Sequence, residues 1–172
     1  DPLHGLCHAR CCGLYMLIMG LQLQLPEPWL EAAILAGFYH DIGRRLTAGN
    51  AHGVLSARQL PELFPELDHI HMAALQTAVH LHCTPEADFD TVWHCYSALA
   101  PNNTCRLLAQ MLQNADSLDY VRLGIRGYNG RFLTLDVAKA LPLCALEVNL
   151  LQFCYPEAFT KLMEFDGRSQ WN

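Results

Sequence analysis

The sequence is short of charge, of β-branched residues, of basic surplus and of long apolar runs, and each shortage excludes a class of protein. Charged residues are 16% of the 172 and apolar residues 52%, the reverse of a disordered chain. Eleven Lys and Arg face seventeen Asp and Glu, a net charge of −6. A non-specific nucleic-acid binder carries the opposite balance. No apolar run reaches the roughly 18 residues of a membrane span. The greasiest stretch, Gly13–Leu21, ends in Gln22, Gln24 and Pro26, and it lacks the basic flank and small-residue cleavage site of a signal peptide. C-x-x-C spacing is also missing. The eight cysteines therefore read as reduced, mostly buried thiols, and with no leader pattern they point to the cytoplasm. His82-Cys83 and His94-Cys95 are two His-Cys pairs twelve residues apart. Adjacent ligands are not the usual spacing of a structural zinc site, so none is expected there.

Val, Ile and Thr total 18, against 30 Leu and 19 Ala. That balance favours helices over strands, and the length suits one domain. The pattern predicts a single-domain, all-α bundle of about seven helices over residues 1–172. They fall near Leu6–Leu23, Pro28–His40, His52–Leu60, Leu67–His82, Thr91–Leu99, Asn103–Val121 and Leu135–Cys154, the last interrupted near Pro142, with a further helical segment over Pro156–Met163. Gly43 reads as the terminator of the second helix. Arg44–Ala51 reads as a loop and Leu123–Leu133 as a loop or weak hairpin.

The nine histidines matter through their positions. His4 and His8 are one helical turn apart. His40-Asp41 ends an apolar helix, His52 opens the next, and His80 and His82 close a later one. Asp116 and Asp119 lie in a long helix. A carboxylate on an apolar face is costly unless paired or bound to a cation. Mixed imidazole and carboxylate donors suit Mn, Fe, Co, Ni or Zn rather than a hard cation in an all-oxygen cage.

Five segments carry a family resemblance: HGLCH (His4–His8), FYHDIGRR (Phe38–Arg45), AHGVLSA (Ala51–Ala57), AVHLH (Ala78–His82) and NADSLDYVRLG (Asn114–Gly124). In this order they resemble the HD-domain superfamily of metal-dependent phosphohydrolases. The resemblance implies an HD-type bundle in which His8, His40, Asp41 and Asp116 hold a metal ion. It implies a second ion held by His52 and by His80 or His82. Asp41 is the natural bridge, since a carboxylate can join two ions and a neutral imidazole cannot. One or two divalent transition-metal ions are thus the expected cofactor. Asp119 reads as a supporting acid rather than a ligand.

The implied reaction is hydrolysis of a phosphomonoester or phosphodiester, of a nucleotide or nucleotide-derived substrate, by metal-activated water. Asp41, Arg44 and His52 are the expected catalytic residues. His4 at the pocket rim, Arg44, Arg45, Arg122 and Arg126 are candidates for substrate binding, since a guanidinium matches phosphate bidentately. The expected partner is a phosphorylated small molecule or nucleotide, with no membrane and no non-specific nucleic acid. Arg44 stands where the cyclic-dinucleotide phosphodiesterases have lysine, and their Gly-Tyr-Pro motif is absent, which speaks against that activity. The HG-x-x-H entry also resembles phosphodiesterase domains that act on phosphoribosyl-linked protein adducts. A di-iron oxygenase on the same fold and a non-catalytic regulatory domain are the competing readings.

Overall fold

Leucine and alanine at three- and four-residue spacing build nine α-helices and no strand among the described residues of the computed structural model, which are 5–47, 49, 51–84, 88–96, 100–124 and 128–163. The fold is all-α. In chain order the helices are α1 (Leu6–Gln22), α2 (Glu27–Tyr39), α3 (Ala51–Leu63), α4 (His69–Leu81), α5 (Phe89–Tyr96), α6 (Asn102–Asp119), α7 (Asp136–Lys139), α8 (Pro142–Cys154) and α9 (Pro156–Met163).

Helix α4 is the middle of the bundle. It packs on α2, α3, α5 and α6, and it buries Met72, Ala73, Ala74, Leu75, Thr77, Ala78, Val79 and Leu81. Its start is set by Asp68, whose carboxylate accepts the backbone N–H groups of Ile70 (2.9 Å) and His71 (3.2 Å). That is the N-cap geometry that satisfies two otherwise orphaned donors. Helix α6 turns a stripe of Cys105, Leu108, Leu112, Ala115 and Leu118 inward, the three-and-four spacing of one helix face. Each buried leucine of such a stripe contributes roughly 1.5–3 kcal/mol.

Helices α1 and α2 touch through backbone. A Cβ on Gly37 would stand 2.6 Å from the Gly13 Cα, and Ala32, Ala33 and Ala36 keep the rest of that face small. The pair runs antiparallel, so the start of α1 and the end of α2 meet at one end of the bundle. His8 and His40 lie there, five residues before Gly13 and three after Gly37.

Several expectations need correction. Helix α3 does not stop at Leu60 but continues through Pro61 to Leu63. Proline cannot donate to the carbonyl four residues back; the Ala57 carbonyl instead accepts the Gln76 side chain at 3.0 Å. Gly43 does not end α2 in a left-handed cap. It sits buried in a 3₁₀ turn, Ile42–Arg45, at the start of the expected loop. A side chain there would stand 2.4 Å from the His52 carbonyl oxygen and 2.7 Å from the Ser56 nitrogen. In the stretch expected as a loop or hairpin, the described residues form 3₁₀ turns at Tyr120–Leu123 and Gly130–Phe132. None of the eight cysteines, all among the described residues, forms a disulfide. Only Cys11, Cys12 and Cys105 are buried; Cys83 and Cys144 are half-buried, and Cys7, Cys95 and Cys154 are exposed. The expectation of mostly buried thiols therefore fails for those on helix ends and outer faces.

Candidate metal centre

Four imidazoles converge from four different segments, and each is oriented in the same way. His8 donates Nδ1–H to the Asp119 carboxylate at 2.7 Å. His40, His52 and His82 each donate Nδ1–H to the carbonyl three residues earlier: Gly37 at 2.9 Å, Gly49 at 2.5 Å and Val79 at 2.6 Å. A histidine with Nδ1 engaged in this way presents Nε2 to its other neighbours, the usual support for a metal-ligating imidazole. The Nε2 atoms of His8 and His40 are 3.1 Å apart, and those of His52 and His82 are 2.8 Å apart. With both Nδ1–H groups donated outward, such an approach needs a cation between the two nitrogens, either a proton or a metal ion.

Asp41 joins the two pairs. Its Oδ2 lies 3.8 Å from His8 Nε2 and 3.7 Å from His40 Nε2. Its Oδ1 lies 3.1 Å from His52 Nε2 and 3.4 Å from His82 Nε2. Asp116, on α6, approaches His8 Nε2 to 3.4 Å. The described donor atoms cluster as His8–Cys12–His40–Asp116, His40–Asp41–His82 and His52–His82–Cys83, each within 4.8 Å. These buried groups could hold a metal ion.

The electrostatics follow from burial and proximity. Burial, then the positive charge of His82, holds His40 well below its ordinary value, in the neutral form that a metal ligand requires. Burial alone would raise the Asp41 carboxyl. Hydrogen bonds from His52 and His82, with the charge of His82, outweigh it and keep Asp41 ionised. Burial would lower His52, but the Asp41 carboxylate, Cys83 and the Gly49 carbonyl push it up to about 10. Cys12 is pushed up by burial and then by the charges of Asp116 and Asp119, so it stays a thiol. Cys83 goes the other way, because His52 and His82 outweigh its burial.

Of the candidate metal ligands, His8, His40, Asp41, Asp116, His52 and His82 come together. His80 does not; its Nδ1 lies 3.1 Å from the Tyr96 hydroxyl. Asp119 is buried behind His8, where it also accepts Arg122 Nε at 2.5 Å. Arg122 thus serves the carboxylate that positions the His8 ring. Arg44 places Nε 2.7 Å from Asp41 Oδ2. Arg44 and Arg45 also line a cavity of about 420 Å³ beside Asp41, walled by Leu6, Ala9, Phe38, Tyr39 and Ile42. His4 and Arg126 lie outside the described residues. Sequence reasoning missed Cys12, one helical turn after His8. It also missed Asn149, whose Nδ2 donates to the Ala145 carbonyl and Tyr15 hydroxyl and reaches Asp119 Oδ1 at 3.5 Å. Among the described residues, His94 and Cys95 belong to no such donor group.

No family model, no curated protein and no solved structure matches this chain.

Proposed function

We propose that this chain is a metal-dependent phosphohydrolase of the HD type, acting on a phosphomonoester or phosphodiester of a nucleotide or nucleotide-derived substrate. The reading is carried by the Asp41 carboxylate, whose two oxygens each face a separate pair of imidazole nitrogens. The donor chemistry fits divalent transition metals. His8, His40, Asp41 and Asp116 would hold one ion, and Asp41, His52 and His82 a second. When bound, such ions polarise a phosphoryl oxygen and lower the pKa of water, which supplies a nucleophile at neutral pH.

The chain's own residues do the rest. Asp119 and the carbonyls of Gly37, Gly49 and Val79 hold the four rings in one tautomer and one orientation. Arg44 forms part of the cavity wall beside Asp41. Its Nε meets the carboxylate, and the guanidinium fork offers further N–H donors to a phosphoryl oxygen. Arg45 adds a second cation at the same wall. The apolar surfaces of Leu6, Phe38 and Tyr39 suit the organic part of an ester, and about 420 Å³ is within the range of small-molecule sites.

Metal analysis of the purified protein, followed by a screen of phosphate mono- and diesters, tests the reading. The expected result is bound transition metal and release of phosphate or a phosphomonoester, lost on chelation and restored by Mn, Co or Zn. Metal-independent turnover would overturn it. So would oxygen consumption by an iron-loaded protein that leaves every ester intact.

A further inference from the structure

His52, His82 and Cys83 form a donor group of their own, with one ring nitrogen of each histidine and the thiol sulfur within 4.8 Å of one another. Cys83 follows His82 in the turn that ends α4, and Gly53 follows His52 in α3. A Cβ on Gly53 would stand 2.8 Å from the Cys83 sulfur and 2.9 Å from the His80 carbonyl oxygen. Helix α3 therefore offers bare backbone where the sulfur packs, and a larger residue would push it away from the two rings. Asp41 Oδ1 completes the group, 3.1 Å from His52 Nε2 and 3.4 Å from His82 Nε2.

Resting on the metal reading above, we propose that Asp41, His52, His82 and Cys83 form a four-donor site in which Cys83 is a thiolate ligand, so that this half of the centre selects a thiophilic divalent ion. Two imidazoles, a carboxylate and a thiolate make the mixed tetrahedral set that zinc takes. A soft sulfur donor favours zinc, iron or cobalt over manganese or magnesium. The half built on His8, His40 and Asp116 relies on nitrogen and oxygen donors. The two halves therefore differ in metal preference. On binding, the Cys83 S–H bond breaks, its proton passes to solvent and the sulfur lone pair forms the metal–sulfur bond. No oxidation state changes.

Cobalt(II) titration of the metal-free protein tests this without reference to activity. Visible d–d bands report cobalt uptake, and a near-ultraviolet thiolate-to-cobalt band reports a sulfur ligand. The wild type is expected to show both, Cys83→Ser to keep d–d bands while losing the near-ultraviolet band, and Cys12→Ser to keep both. Cobalt uptake without the near-ultraviolet band, or a band that survives in Cys83→Ser, overturns the proposal but not the metal reading. No uptake at all overturns both. Alkylation of the wild type, followed by peptide mass spectrometry, is independent of how any variant folds. Zinc should slow labelling of Cys83 at least about tenfold, because ligation ties up the thiolate that alkylates. The exposed Cys7, Cys95 and Cys154 serve as controls. Labelling of Cys83 that zinc leaves unchanged, with zinc bound, contradicts the proposal.

Discussion

Asp119 is the residue on which the His8 side of the centre turns. It is fully buried, and its carboxyl is held below the ordinary range. Burial opposes this, and the hydrogen bond from His8, the His8 charge and Arg122 prevail. Replacing it with Asn keeps the volume but weakens its hold on the imidazole. Outer partners of metal-ligating histidines are worth about 10–100-fold in affinity. Asp119→Asn is therefore expected to weaken one ion by about that factor while leaving the ion near His52 and His82 unchanged, as competition calorimetry would show. Equal weakening of both ions would contradict this division. The same scale shows where residue types alone run out. His80 and His82 are two positions apart, so they project from α4 about 200° apart. Which ring turns inward depends on where α4 ends and what packs on it. His82 closes the helix and faces His52, and His80 meets Tyr96. Arg122 reads as a basic rim in the sequence because its partner, Asp119, reads as a supporting acid with no stated counter-charge.

At the scale of elements, the helices are legible because leucine and alanine spacing is local. Features that depend on a second helix are not. The sequence pattern ends this helix near Leu60, yet α3 passes through Pro61, and Gln76 on α4 donates to the Ala57 carbonyl that proline cannot reach. Gln76→Leu removes that donor and leaves the carbonyl without the side-chain bond. A loss of about 1–3 kcal/mol is expected, the cost of an unsatisfied buried acceptor. Urea denaturation would measure it, and an unchanged midpoint would contradict it. Helix α4 carries a pH signature as well. The Asp68 carboxyl is lowered first by its hydrogen bond with the His71 ring, with burial opposing and the backbone N–H groups adding. A group lowered on folding stabilises above its unfolded value and loses that contribution as pH falls through its folded value. Asp68→Ala should therefore lower the thermal midpoint by a constant amount above about pH 5, and by less as pH falls below about 4. A gap that does not change with pH would exclude the cap as its source.

For the whole molecule, the site exists only because the bundle closes. The antiparallel contact at Gly13 and Gly37 brings His8 beside His40. The tight packing of Gly43 on α3 sets His52 against Asp41, and the end of α4 supplies His82. The order of imidazoles and carboxylates on apolar helices is legible in the sequence, since each costs free energy there unless it has a partner. Their convergence is not legible, because it is set by contacts between segments up to 111 positions apart, as for His8 and Asp119. The central claim is that one carboxylate joins two ion-binding groups. The number of transition-metal ions retained per chain at saturation, in the wild type and in Asp41→Ala, tests it most directly. Two ions in the wild type and weakened retention of both in Asp41→Ala are the predicted result. No retained ion in the wild type, or the same two ions held as tightly without Asp41, would contradict it.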